Sequence, residues 1–137
     1  MFNLEPQLQR DSTFIYDLGL SQVRIINNAE FPWIILVPKL QYITEITGLS
    51  DSQYSTLNFE IRLMAKIMQS IFQPDKLNIA TLGNVISQMH YHIVARFKQD
   101  SCFPNTVWGR KFVHYKEEAL NERISNIRTY LINENSQ

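Results

Sequence analysis

A single cysteine, Cys102, stands among the 137 residues, so no disulfide can form within the chain and nothing in the cysteine count asks for an oxidising compartment. No run approaches the ~18 consecutive apolar residues that a membrane span needs. The stretch from Met1 to Asp11 interrupts its apolar positions with Glu5, Gln7, Gln9 and Arg10, unlike the apolar block of a secretory signal. Excess charge is missing too. Thirteen Lys and Arg balance 13 Asp and Glu, which leaves no field to hold a nucleic-acid backbone or an anionic membrane surface. Charged residues make up 19% of the chain, against about 25% in an average soluble protein, so part of the surface is neutral or covered by a partner. With four Gly, five Pro, no repeat and no low-complexity tract, there is no linker to divide the chain. The expectation is one domain over residues 1–137 in a soluble cytoplasmic protein, with neither a nucleic-acid nor a membrane partner.

What the chain does contain is well-placed punctuation. Gln22 to Asn27 and Trp33 to Val37 are rich in β-branched and aromatic residues and are separated by Asn27-Asn28-Ala29-Glu30, which reads as two neighbouring antiparallel strands. The second is apolar at every position, as a strand covered on one face and contacted on the other would be, and Pro38 closes it. Ser50 followed by Gln53 has the spacing of a capping box. It opens a helix whose apolar stripe runs through Tyr54, Leu57, Ile61, Met64, Met68 and Ile71 as far as Gln73-Pro74. Leu77 to Leu82 and Ile86 to Phe97 read as two more strands turning at Gly83-Asn84. Lys116 to Leu131 sets Leu120, Ile124, Ile127 and Leu131 on one helical face. Leu4 to Tyr16 carries both helical and extended signals. The predicted class is α+β, an antiparallel sheet of about five strands with one long helix and a C-terminal helix.

The chemistry concentrates in Gln88-Met89-His90-Tyr91-His92-Ile93-Val94. Read as a strand, a period of two puts Gln88, His90 and His92 on one face, with the imidazoles ~7 Å apart. Imidazole titrates near neutral pH, so such a pair can divide nucleophile or base from proton donor. Two other readings share the spacing: a solvated polar face, or two ligands of a zinc site, which then needs a third from His114, Asp100 or Cys102. Arg96 and Lys98 continue the same face, either toward a phosphate or as solvated charges at a strand end. Cys102 has no helix start beside it to lower its pKa, His114 reads as a surface residue, and Trp108 reads as a ring used for packing, across a subunit boundary or within the chain.

The stretch Leu77 to Val94 resembles the signature region of the histidine triad (HIT) family of nucleotide hydrolases and transferases, whose motif is His-φ-His-φ-His-φ-φ with φ apolar. The resemblance extends upstream through Ile25-Ile26-Asn27, Ile34 to Lys39 and the long helix, and downstream to Val107-Trp108-Gly109. It covers roughly Leu18 to Gly109, and it is greatest toward small bacterial HIT-like proteins often described as diadenosine tetraphosphate hydrolases. It implies a HIT-like fold, a homodimer, and hydrolysis at the α-phosphorus of dinucleoside polyphosphates or nucleoside phosphoramidates without a cofactor or metal. By the same resemblance His90 is the nucleophile that becomes nucleotidylated, and His92 holds phosphate or leaving-group oxygens. Asn27 meets the ribose hydroxyls, while Asn78 and Asn84 contact phosphate.

Three positions depart from the pattern. Gln88 stands where the motif has its first His, Val85 where many members carry Ser or Thr, and Trp33 where many carry a fourth His that contacts the first. Gln88 keeps hydrogen-bonding capacity and Trp33 fills the volume, but the proton relay beyond the nucleophile loses a titratable member. The alternative is therefore a nucleotide-binding protein with little or no turnover.

Overall fold

Residues 1–135 are described by a computed structural model of the chain; residues 136–137, the end of the expected domain, lie outside the described residues. The mixed signal at the N-terminus resolves into a short helix α1 (Pro6–Asp11) followed directly by β1 (Ser12–Asp17). Glu5 starts α1, its carboxylate accepting from the N–H groups of Gln7 and Leu8. The two apolar runs become β2 (Ser21–Ile26) and β3 (Trp33–Pro38). After a single 3-10 turn at Ile46–Gly48, α2 (Asp51–Phe72) begins at the expected capping box. The Ser50 hydroxyl accepts from Gln53 N, and the Gln53 side chain accepts from Ser50 N. Then come β4 (Lys76–Thr81), β5 (Tyr91–Arg96) and α3 (Glu117–Asn135).

All strand pairs are antiparallel and the order is β1-β2-β3-β5-β4, so the fold is the expected α+β arrangement. Alternation sends the sheet's side chains to two cores. Val23, Ile25, Ile34, Leu36, Ile93 and Ala95 meet Met64, Ile67 and Met68 of α2 and Ile124, Ile127 and Leu131 of α3. Trp33, Ile35, Val37 and Val94 face the other way, against Leu8 of α1 and Cys102 and Val107 of the segment after β5. That double burial explains the unbroken apolar composition of β3, which is buried at all six positions. Among the described residues no helix is long and apolar enough to cross a membrane.

Two charged side chains are buried in structural roles, and the second differs from the sequence expectation. Glu60 lies in α2, yet its carboxylate is buried and accepts from Leu20 N and Ser21 N at 2.8 and 3.0 Å, closing the β1–β2 turn. Arg96 is neither a solvated charge nor beside the histidine pair: it is 1% exposed. Its guanidinium donates to both carboxylate oxygens of Asp100, to Asn78 Oδ1 and to the carbonyl of Asn105, and lies between the rings of Phe31 and Phe103. Asp100 also accepts from the N–H groups of Phe97, Cys102 and Phe103. Burial raises the Asp100 carboxyl, but Arg96 and these three donors outweigh it and hold it well below the usual carboxylate range. Removing the guanidinium strands that carboxylate. Arg96→Ala is expected to cost about 3–5 kcal/mol, read as a fall in the urea midpoint with an unchanged m-value; a loss below about 1 kcal/mol would contradict a buried, hydrogen-bonded pair.

Candidate active site

Trp33 enters the sheet on β3 and His92 on β5, with Ile35 of β3 directly opposite His92 and Val94 opposite Trp33. The two are diagonal neighbours on one face, close enough for long side chains to meet. Indole Nε1 of Trp33 donates to Nδ1 of His92 at 2.9 Å. An indole nitrogen can only donate, so Nδ1 must be the bare nitrogen of His92 and Nε2 carries its hydrogen. His90 has the opposite arrangement. Its Nδ1 lies 2.8 Å from the carbonyl oxygen of Gln88; a carbonyl only accepts, so Nδ1 carries the hydrogen and Nε2 presents the lone pair. The backbone at His90 is itself pinned, because Thr81 Oγ1 donates to its carbonyl.

The rings lean together edge to face, with centroids 4.8 Å apart, closer than the strand-geometry expectation. The reason is local: β5 begins at Tyr91, so His90 belongs to the preceding loop. Both imidazoles line a cavity of about 490 Å³. Its walls include Leu8 and Asp11 of α1, Leu82 to Ile86 of the β4–β5 loop, and Trp108, Arg110 and Phe112. Gly83, at φ 73°, supplies the left-handed turn in that loop. Burial, and then the neighbouring His90, push the His92 pKa down to about 3. Burial also lowers His90, partly offset by its bond to the Gln88 carbonyl. The site therefore holds two neutral imidazoles, one offering a lone pair and the other an N–H.

Of the other expected residues, the structure brings only Asn84 to this cavity. Gln88 does not stand on the histidine face, because residues 86–90 are not strand and the period-two reading fails there. Its amide instead clips the N-terminal segment, accepting from Glu5 N at 2.9 Å and donating to Asn3 O at 2.8 Å; it bears on the pair only through its backbone carbonyl. Asn27 Oδ1 accepts from Tyr115 N and Asn78 Oδ1 from Arg96, and neither residue lines the cavity. The zinc alternative needs a third ligand, and among the described residues no group of three or more His, Cys, Asp and Glu gathers. Asp100 is bound to Arg96, Cys102 is buried beside the same guanidinium, and His114 is exposed.

Two residues acquire site positions that the sequence did not give them. Trp108 packs edge-on against His92 and Trp33 within the same chain, and its buried indole N–H has no hydrogen-bond partner. Asp11 of α1 also lies on the wall, a position for which the helical signal within Leu4 to Tyr16 was the one indication in the sequence.

A HIT domain family model matches residues 7–99. Among solved structures, a histidine triad protein from Marinobacter aquaeolei VT8 is similar at 34% identity and TM-score 0.94, the match covering 97% of this chain and 98% of that one. One from Bradyrhizobium japonicum is similar at 36% identity and TM-score 0.92, covering 94% and 97%. At 18% identity the Plasmodium falciparum diadenosine triphosphate hydrolase shares the fold, with TM-score 0.70 over 97% of this chain and 84% of that one. A search of curated proteins finds no match.

The neutral pair makes stability pH-dependent. Unfolded imidazoles take up a proton near 6.5 while folded His92 resists until about 3, so the unfolded chain binds more protons in that window and stability falls as pH drops through it. The expected slope is about 1.4 kcal/mol per pH unit for one such histidine. Urea unfolding between pH 7.5 and 4.5 should show a shallower decline in His92→Gln than in wild type; equal slopes would contradict a buried neutral His92.

Proposed function

Because the chain belongs to the histidine triad family, we propose that it hydrolyses nucleotides at the α-phosphorus through a nucleotidyl-His90 intermediate. The observation that carries this reading is the opposite tautomer fixing of two neutral imidazoles in one cavity. In the first step the Nε2 lone pair of His90 forms a bond to the α-phosphorus and the bridging bond to the leaving group breaks, its electron pair departing with that group. Nδ1 keeps its hydrogen on the Gln88 carbonyl, so the adduct is a cationic imidazolium and hence a competent leaving group in turn. In the second step water forms the new P–O bond and gives up a proton to solvent water, while the N–P bond breaks and its electron pair returns to Nε2. His92 Nε2–H and Asn84 are donors suited to phosphate oxygens. Leu8, Ile26 and Phe112 supply an apolar wall for a base.

The substrates are purine nucleotides carrying a leaving group on phosphate, of which dinucleoside polyphosphates are the leading class. Incubation with α-labelled diadenosine tetraphosphate and a denaturing quench should leave acid-labile label on His90. His90→Ala should lose the label and at least about 10³-fold in kcat. Tight nucleotide binding without label on wild type would instead support a binding protein of little turnover.

The same reading includes a homodimer. β4 is an edge strand, and Ile79, Leu82 and Val85 expose apolar surface on it and on its following loop, the kind of edge that a second copy covers. Sedimentation velocity at micromolar concentration should give a dimer, and Ile79→Lys should shift it toward monomer; a monomeric wild type contradicts this assembly.

A further inference from the structure

We propose that Trp33 is a positioning residue that holds His92 as a permanent hydrogen-bond donor and thereby restricts the site to leaving groups that depart without taking a proton. This rests on the nucleotidyl-transfer reading above and concerns what that chemistry can release. The indole N–H donates to His92 Nδ1 at 2.9 Å, and Trp33 is itself buried, so no water stands in for it. A doubly protonated His92 would set N–H against N–H. The ring is therefore held in one tautomer, with Nε2–H toward the cavity, and Nδ1 has nowhere to pass or collect a proton. A histidine at position 33 could either accept from or donate to Nδ1; tryptophan can only donate.

The other groups around His92 do not restore a relay. Trp108 meets it edge-on and carries only an indole N–H, and His90 presents a lone pair. The remaining charged groups lining the cavity are Asp11, from α1, and Arg110, from the segment after β5; a carboxylate accepts, and a guanidinium does not give up its proton. The low His92 pKa points the same way.

The consequence follows from electron accounting. When Nε2 of His90 attacks a phosphorus bearing an oxygen leaving group, the P–O pair departs as a polyphosphate or phenolate anion, stabilised by hydrogen bonds with no proton transferred. When the leaving group is an amine, the P–N pair would depart as an amide anion unless nitrogen is protonated first, and this site holds no acid to do so. Phosphoanhydrides and aryl esters of a nucleotide are substrates; phosphoramidates are poor ones.

Two measurements test this. Nitrogen-15 NMR of the histidine-labelled wild-type protein should show His92 neutral and Nε2-protonated throughout pH 5 to 8; an Nδ1–H tautomer, or an imidazolium forming in that range, overturns the lock. The ratio of kcat/KM for the 4-nitrophenyl ester of AMP over adenosine 5′-phosphoramidate should be compared between wild type and Trp33→His, which cancels losses common to both substrates. The ratio is expected to fall at least about tenfold in Trp33→His, since a general acid typically contributes 10²–10⁴; an unchanged ratio in a folded variant overturns the selectivity. If that variant does not fold, the wild-type spectrum still decides the lock. No turnover and no label on His90 with either substrate overturns the hydrolase reading and the selectivity with it, whereas an Nδ1–H tautomer alone overturns the lock and leaves the hydrolase reading intact.

Discussion

The ion pair between Arg96 and Asp100 is the constraint around which the cavity-bearing face of the sheet is arranged. It sits where β5 ends, with both side chains under 5% exposed, and burying two charges there costs several kcal/mol per ion unless every donor and acceptor is matched. The matching is close to complete. The guanidinium reaches Asp100, Asn78 and the Asn105 carbonyl, while Asp100 takes three backbone N–H groups from the turn that follows. One charged pair thus fixes a stretch with no secondary structure of its own. That stretch leads to Val107 and Trp108, which close the lower core and one wall of the cavity. The catalytic proposal therefore depends on a group that touches no substrate.

A second ordering principle is that each imidazole is held from behind by a group with a single hydrogen-bonding role. A carbonyl behind His90 and an indole N–H behind His92 make the two rings chemically unlike although both are neutral and in contact. No acidic side chain is needed to create the difference. Low total charge, which at first argues against phosphate-bearing ligands, is compatible with a small nucleotide met by amides and imidazoles.

Much of this was legible in the residues, and what was not has identifiable causes. Richness in β-branched and aromatic residues on either side of the Asn27–Glu30 turn found β2 and β3, and the Ser50/Gln53 pair found the start of α2, because those signals are local. The His90-Tyr91-His92 spacing also pointed to two neighbouring imidazoles, and the rings do adjoin. Gln88 was misplaced because the period of two was carried back past Tyr91, whereas Met89 N bonds Ile43 O and the chain there follows a loop partner. Asn27 and Asn78 have the composition of ligand-binding amides, but their partners, Tyr115 N and Arg96, lie 88 and 18 residues away. The same holds for Glu60, whose partners are about 40 residues distant. Alternation correctly set Arg96 on the face of His92 and could not show that this end of the face is sealed.

The clip between Gln88 and the segment at Asn3 and Glu5 spans 85 and 83 positions of sequence, and it bears on how the site is born. In synthesis the amide that clips this segment follows both the long helix and β4, and Trp108 follows later still. The cavity walls are shared between α1 and the segment after β5, so no ligand can be enclosed between them until that later segment has been made, and ligand cannot act as a template for the early sheet.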